Sequence, residues 1–181
     1  MLVELIGQRR GEVLACWRKR ILASYPAETA RFLSAEKNRF ANPVGHALAA
    51  VTDAVVARLA EGRAPEELAG VLDGLVRVRA VQDLTPAQAV GFVLELKAVL
   101  REELAEALSA AEAASELRAV EDWVDRLLLV AFDVYARCRE QVHAIRVNEI
   151  RNRSLKVMER LNEWRARRDP SGGNAVAEVE S

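Results

Sequence analysis

Apolar residues recur at helical spacing along nearly the whole chain, and few segments alternate with the two-residue period of a strand. Leu14, Trp17, Ile21 and Leu22 share one face and predict a first helix over about residues 3–24. Tyr25-Pro26 closes it, because a residue before proline avoids helical geometry. A short helix follows over about 27–38, anchored by Phe32. Asn42-Pro43 marks the next start: asparagine caps free amides, and proline takes the first helical position, where its missing N–H costs nothing. That helix carries Val44, Leu48, Val51, Val55 and Leu59 and stops at Glu61-Gly62. A fourth helix opens at Pro65 and runs through Leu68, Val71, Leu72, Leu75 and Val78 to about residue 81. Thr85-Pro86-Ala87-Gln88 reads as a capping box opening a fifth, with Phe92, Leu96, Val99 and Leu100 as its buried stripe and an end near 108.

The last segment starts near Ser115-Glu116 and meets no proline or glycine before Asp169-Pro170. Residues 115–168 would make a rod of roughly 80 Å, whereas a compact domain of this length measures only about 40 Å across. The helix is therefore expected to break or to extend past the body. Its first half is strongly apolar, with Val120, Trp123, Val124, Leu127, Leu128, Val130, Phe132, Val134 and Tyr135. Its second half thins to Val142, Ile145, Ile150, Leu155, Met158, Leu161 and Trp164 among many charges, a one-sided stripe suited to a partner helix. Heptads do not fit this stripe cleanly, and an extended coiled coil stays open. The expected organisation is all-α: a body over 1–136, a basic extension over 137–168 and a disordered tail over 169–181.

Composition agrees with a helical protein: glycine (9) and proline (5) are scarce, and 51% of residues are hydrophobic. No apolar run approaches the roughly 18–20 residues needed to span a bilayer, and Glu4 interrupts the apolar start, so neither a membrane span nor a signal peptide is expected. Cys16 and Cys138 lack metal spacing and read as free thiols of a cytoplasmic protein. The net charge of −1 hides an asymmetry, since residues 137–168 hold ten Lys or Arg against four Glu. Arg137, Arg139, Arg146, Arg151, Arg153, Lys156, Arg160, Arg165, Arg167 and Arg168 scatter round more than one face. Pairs such as Glu149–Arg153 and Glu163–Arg167 make a salt-bridged, solvated helix the expectation, and nucleic-acid binding is not expected.

Catalysis finds little support. His46 and His143 are far apart, the Glu-Glu pairs at 66–67 and 102–103 read as a first helical turn and a solvated face, and no phosphate loop occurs. No catalytic, metal-binding or cofactor-binding residue is expected, and no cofactor. The block around Arg77, Arg79, Gln82, Asp83 and Gln88 has two readings. Structurally, Asp83 and Thr85 cap an interhelical turn while the arginines cover apolar surface with their stems. Functionally, these polar groups gather at one corner as a ligand or partner pocket requires. A buried arginine there would need a carboxylate, and Asp83 is the obvious candidate.

Phe40-Ala-Asn-Pro-Val-Gly-His46 and Arg77-Val-Arg-Ala-Val-Gln-Asp-Leu-Thr-Pro-Ala-Gln-Ala-Val90 resemble the N-terminal domain of the RsbR-type stressosome co-antagonists, specifically the RsbRD branch. Trp17, Tyr25-Pro26 and the stretch from Glu140 to Glu149 carry the resemblance further, over roughly residues 10–160. It implies a globin-like, non-haem helical sensor of bacterial stress signalling that dimerises. It also implies that neither histidine lies where a globin supplies its axial ligand. In full-length relatives a linker helix joins this domain to a STAS domain. Only thirteen residues follow Arg168, too few for such a domain, so that output module is expected to be absent. The expected function is a non-enzymatic sensor or adaptor working as a homodimer that binds a partner signalling protein. Its input could be a small apolar ligand, a redox change or partner docking. Trp17, Ile21, Trp123, Leu127, Val130 and Val134, with Cys16 nearby, are the expected dimer interface. An accessory subunit of a membrane or redox complex, docking through the basic helix, is the alternative.

Overall fold

The computed structural model describes residues 2–35, 38, 40–82, 84–105 and 111–168. Among them the chain is all-α, with eight α-helices, one 3-10 turn and no strand. It divides into two units, Met1–Arg139 and Glu140–Ser181.

In the first unit, the single helix expected at the start is two: α1 (Leu2–Gln8) and α2 (Arg10–Ala23). Arg9, at φ −95° and ψ 22°, bends the chain between them. The Arg9 N–H still reaches Leu5 O at 2.9 Å and the Val13 N–H reaches Arg9 O at 3.0 Å, so the backbone bonds run through the bend. Leu2 and Ile6 of α1 are buried, as are Val13, Leu14, Trp17 and Ile21 of α2. α3 (Ala27–Ala35) departs from expectation in a different way, because it buries nothing and Phe32 is 49% exposed. Its C-terminal part is held by a polar clamp instead. The Asn42 side chain, 1% exposed, donates from Nδ2 to Leu33 O at 2.9 Å and accepts the Gly45 N–H at 2.8 Å. That second bond caps α4 (Pro43–Ala60) as the sequence predicts. Any side chain on residue 45 would strike the Asn42 amide, so glycine is required beside the cap. Gly62, at φ 65°, ends the helix in the left-handed conformation that glycine alone adopts freely.

Pro65–Leu68 forms the 3-10 turn and leads into α5 (Ala69–Val81). The predicted fifth helix is broken at Gly91 into α6 (Pro86–Val90) and α7 (Phe92–Glu103), and its expected end near 108 lies outside the described residues. The capping box is present: the Gln88 N–H donates to Thr85 Oγ1 at 3.3 Å, and Gln88 Oε1 accepts the Thr85 N–H at 2.9 Å. α2 packs on α4 and α7, while α1 and α5 pack on α4.

α8 (Ala111–Arg168) is one helix of 58 residues. Within the first unit it buries Val120, Trp123, Val124, Leu127, Ala131, Val134, Tyr135 and Cys138, a stripe at three- and four-residue steps, in the same core as α1, α2, α4, α5 and α7. Trp123 donates from Nε1 to Arg63 O at 2.7 Å. Lys97–Asp125 and Arg101–Glu121, both at 2.6 Å, join α7 to α8 at the rim of this stripe. In the second unit every described residue from 143 to 165 is exposed. Arg167 pairs with Glu163 at 3.9 Å, and the Arg168 guanidinium lies 4.8 Å from the Trp164 ring centre. No helix among the described residues is long and apolar enough to cross a membrane. The tail 169–181 lies outside the described residues.

Candidate functional site

The last turn of α5 places Arg79 in the interior, where it is only 3% exposed. Its Nη1 donates to the Tyr25 hydroxyl at 2.6 Å and its Nη2 to Gln88 O at 2.9 Å. The guanidinium lies 5.1 Å from the Tyr25 ring centre and 5.5 Å from that of Phe92, between two electron-rich faces. Its Nε–H, fully buried, donates to nothing among the described residues. No carboxylate pairs with Arg79 among the described residues; a phenol, a carbonyl and two rings supply only partial negative charge. Burial therefore lowers its pKa, a shift the Tyr25 oxygen partly offsets. The expected partner, Asp83, lies outside the described residues.

Around Arg79 opens a cleft of about 520 Å³, walled by Ile21, Tyr25, Gln82, Gln88, Gly91 and Phe92 among others. The chain is brought together here by three local features. Tyr25-Pro26 ends α2 and turns the phenol inward. The capping box fixes α6, so that Gln88 spends its side chain on the cap and offers its carbonyl to Arg79. The Trp17 indole donates from Nε1 to Phe92 O at 2.8 Å and stacks on the Phe92 ring at 6.4 Å, setting the start of α7. Arg20, also on the wall, is matched by Glu102 and Glu95, whose hydrogen bonds, with that of Cys16, hold its pKa above the usual arginine value. Of the two arginines in the cleft, Arg79 is thus the one whose charge no described carboxylate balances.

Of the five residues expected to form a pocket, Arg79, Gln82 and Gln88 line this cleft. Arg77 does not: it is exposed and pairs with Asp73 one turn back at 3.1 Å, which raises its pKa. Tyr25 and Phe92 were legible only as a helix terminator and a core residue, and nothing local in the sequence marks them as the walls of an arginine site. Of the six residues expected at a dimer interface, Ile21 also lines this cleft and the other five lie away from it. Trp17, Ile21, Trp123, Leu127 and Val134 are at most 6% exposed within their own chain, and Val130 packs half-buried against the same core. The helical stripe marks them as buried without saying by what.

Cys138 is 3% exposed, with its Sγ 3.8 Å from Asp73 Oδ1. Burial first, then the Asp73 charge, pushes its thiol pKa up and leaves a poor nucleophile. His46 lines a second groove with Phe40 and Val71, and His143 is exposed.

A family model described as the RsbT co-antagonist protein rsbRD N-terminal domain matches residues 11–150. No curated protein and no solved structure matches the chain. The match takes in α2 through α7, the cleft and most of α8, and the chain belongs to the RsbRD N-terminal domain family.

Proposed function

We propose that the chain is a non-enzymatic signal-input module whose Arg79 cleft takes a small oxyanion and whose terminal helix carries the response to a partner protein. Family membership supports the signalling role, since the domain is named for co-antagonists of RsbT. The observation that carries the ligand class is the guanidinium of Arg79, buried without a carboxylate among the described residues. A buried charge so placed is costly, and an entering carboxylate or phosphate would supply the missing negative charge. Of the three inputs left open by the sequence, this reading replaces the small apolar ligand with an anionic one.

A cytoplasmic homodimer belongs to the same proposal. It would use a face other than Trp17, Ile21, Trp123, Leu127 and Val134, which the chain's own core encloses.

Arg79→Met separates a ligand-binding arginine from a structural one. Methionine keeps the apolar stem and removes the ion, a change that is neutral or stabilising where a buried charge is poorly paired. The expected result is a folded variant whose Tm is not raised by any of a panel of small carboxylates and phosphates, at least one of which raises that of the wild type. A wild type indifferent to every anion, with a variant destabilised by the loss of the hydrogen bonds to Tyr25 and Gln88 O, would make the arginine purely structural.

A further inference from the structure

The terminal helix carries an order in its arginines that its apolar residues alone conceal. Arg139, Arg146, Arg153, Arg160 and Arg167 stand seven residues apart. One place after each of the last four come Val147, Ser154, Leu161 and Arg168, and three places further on Ile150, Val157 and Trp164. This is the three-four spacing of a coiled-coil seam, interrupted at Ser154; the exposed Ile145 and Leu155 stand off it, so the apolar residues alone do not read as clean heptads. In the second unit Val147, Ile150, Val157, Leu161 and Trp164 are 48–66% exposed. With Val147 at position a and Ile150 at d, Arg146, Arg153, Arg160 and Arg167 fill the g row, and Ala144, Arg151, Met158 and Arg165 the e row. Glu149 and Glu163 fall at c and Glu159 at f, on the far side. The seam is thus flanked by six arginines and no acid.

That flank decides what can cover the seam. In a parallel pair of copies, g meets the following e, which sets Arg146 against Arg151 and Arg160 against Arg165 of the other copy. In an antiparallel pair, g meets g. Both arrangements oppose like charges, so the flanks select against a second copy of this helix. A membrane surface is also a poor match. On a straight helix a seven-residue repeat drifts by about 20° per heptad, so from Arg146 to Arg167 the row turns through about 60° relative to a flat surface. It stays facing one direction only when the helix supercoils with another.

We propose that residues 146–167 dock, as one strand of a left-handed coiled coil, an amphipathic helix of another protein whose flanking positions are Glu or Asp. The inference rests on the partner-binding half of the function proposed above and names the chemistry of that partner.

Two four-heptad peptides test it against the full chain by fluorescence anisotropy. Both carry Ile at a and Leu at d, one with Glu and the other with Lys at e and g. The Glu peptide is expected to bind at least about tenfold more tightly, each acidic contact adding a small increment, and the preference is expected to shrink as salt rises. Replacing Arg146, Arg153, Arg160 and Arg167 together by Glu is expected to reverse the preference while circular dichroism keeps its helical signal. Equal affinity for both peptides, no binding of either by a helical chain, or self-association that the Glu peptide does not displace would each overturn the inference. So would binding to phosphatidylglycerol vesicles that the Glu peptide does not compete away. An anion response at Arg79 without peptide preference removes the docking inference alone, and peptide preference without an anion response removes the cleft reading alone.

Discussion

Trp17→Ala is expected to unfold the first unit rather than to split a dimer. The indole is fully buried, stacks on Phe92 and donates to Phe92 O at 2.8 Å, between α2 and α7. Removing a buried aromatic of this kind costs about 3–5 kcal/mol, and Phe92 O loses its donor as well. Native domains hold only about 5–15 kcal/mol in reserve, so a large part of the stability disappears. The cleft should suffer too, because Phe92 forms one of its walls. Urea unfolding followed by circular dichroism checks this: the midpoint should fall steeply at every protein concentration. A variant that stays as stable as the wild type and merely changes from dimer to monomer would place Trp17 at an interface instead.

Leu127→Asp should be at least as damaging, for a different reason. Leu127 is fully buried in the core stripe of α8. A carboxyl there must either hold its proton or draw water into the core, and leaving an ionised group without a partner is among the few single changes that cost more than about 4 kcal/mol. Its pH dependence has a definite sign. Burial raises the folded-state value of such a carboxyl above the ordinary value of about 3.9. The variant's deficit is therefore smallest below that value and grows as pH rises through it toward the raised one. Relative to the wild type at matched pH, the loss of Tm should be larger at about pH 7 than near pH 4. A loss independent of pH would mean that the new side chain is solvated, and hence that this face of α8 is not interior.

Both expectations turn on a distinction that hydrophobic periodicity does not draw. Trp17, Ile21, Trp123, Leu127 and Val134 lie on helical stripes, and a stripe says that a face is covered without naming the cover. The length of the last segment argued for a second chain, yet eight residues of α8 from Val120 to Cys138 are buried in the first unit's own core. What was legible is what depends on a few consecutive residues. The Asn42-Pro43 cap and the Thr85–Gln88 capping box are short-range contacts between side chain and backbone, and both are present. The bend at Arg9 and the break at Gly91 were not legible, because helix-forming residues continue on both sides of each. Phe32 misled for a related reason: an aromatic at helical spacing looks like an anchor, but α3 is held by an amide clamp from Asn42, nine residues beyond Leu33. The surroundings of Arg79 come from three separated segments, at Tyr25, Gln88 and Phe92, and only the tertiary fold assembles them. The heptad register had a signal within reach, since it lies in the arginines rather than in the apolar residues.

In the function proposed above, α8 does two jobs: its apolar half completes the core, and its arginine-flanked stripe docks another protein. Hydrogen exchange along α8, read on the full chain at dilute concentration, tests this most directly. Amides over residues 120–138 should exchange as slowly as those of α4, while amides over 147–164 should exchange orders of magnitude faster and slow down only when the Glu-flanked peptide is added. Slow exchange over 147–164 in the chain alone would mean that the stripe is already covered and has no partner to await.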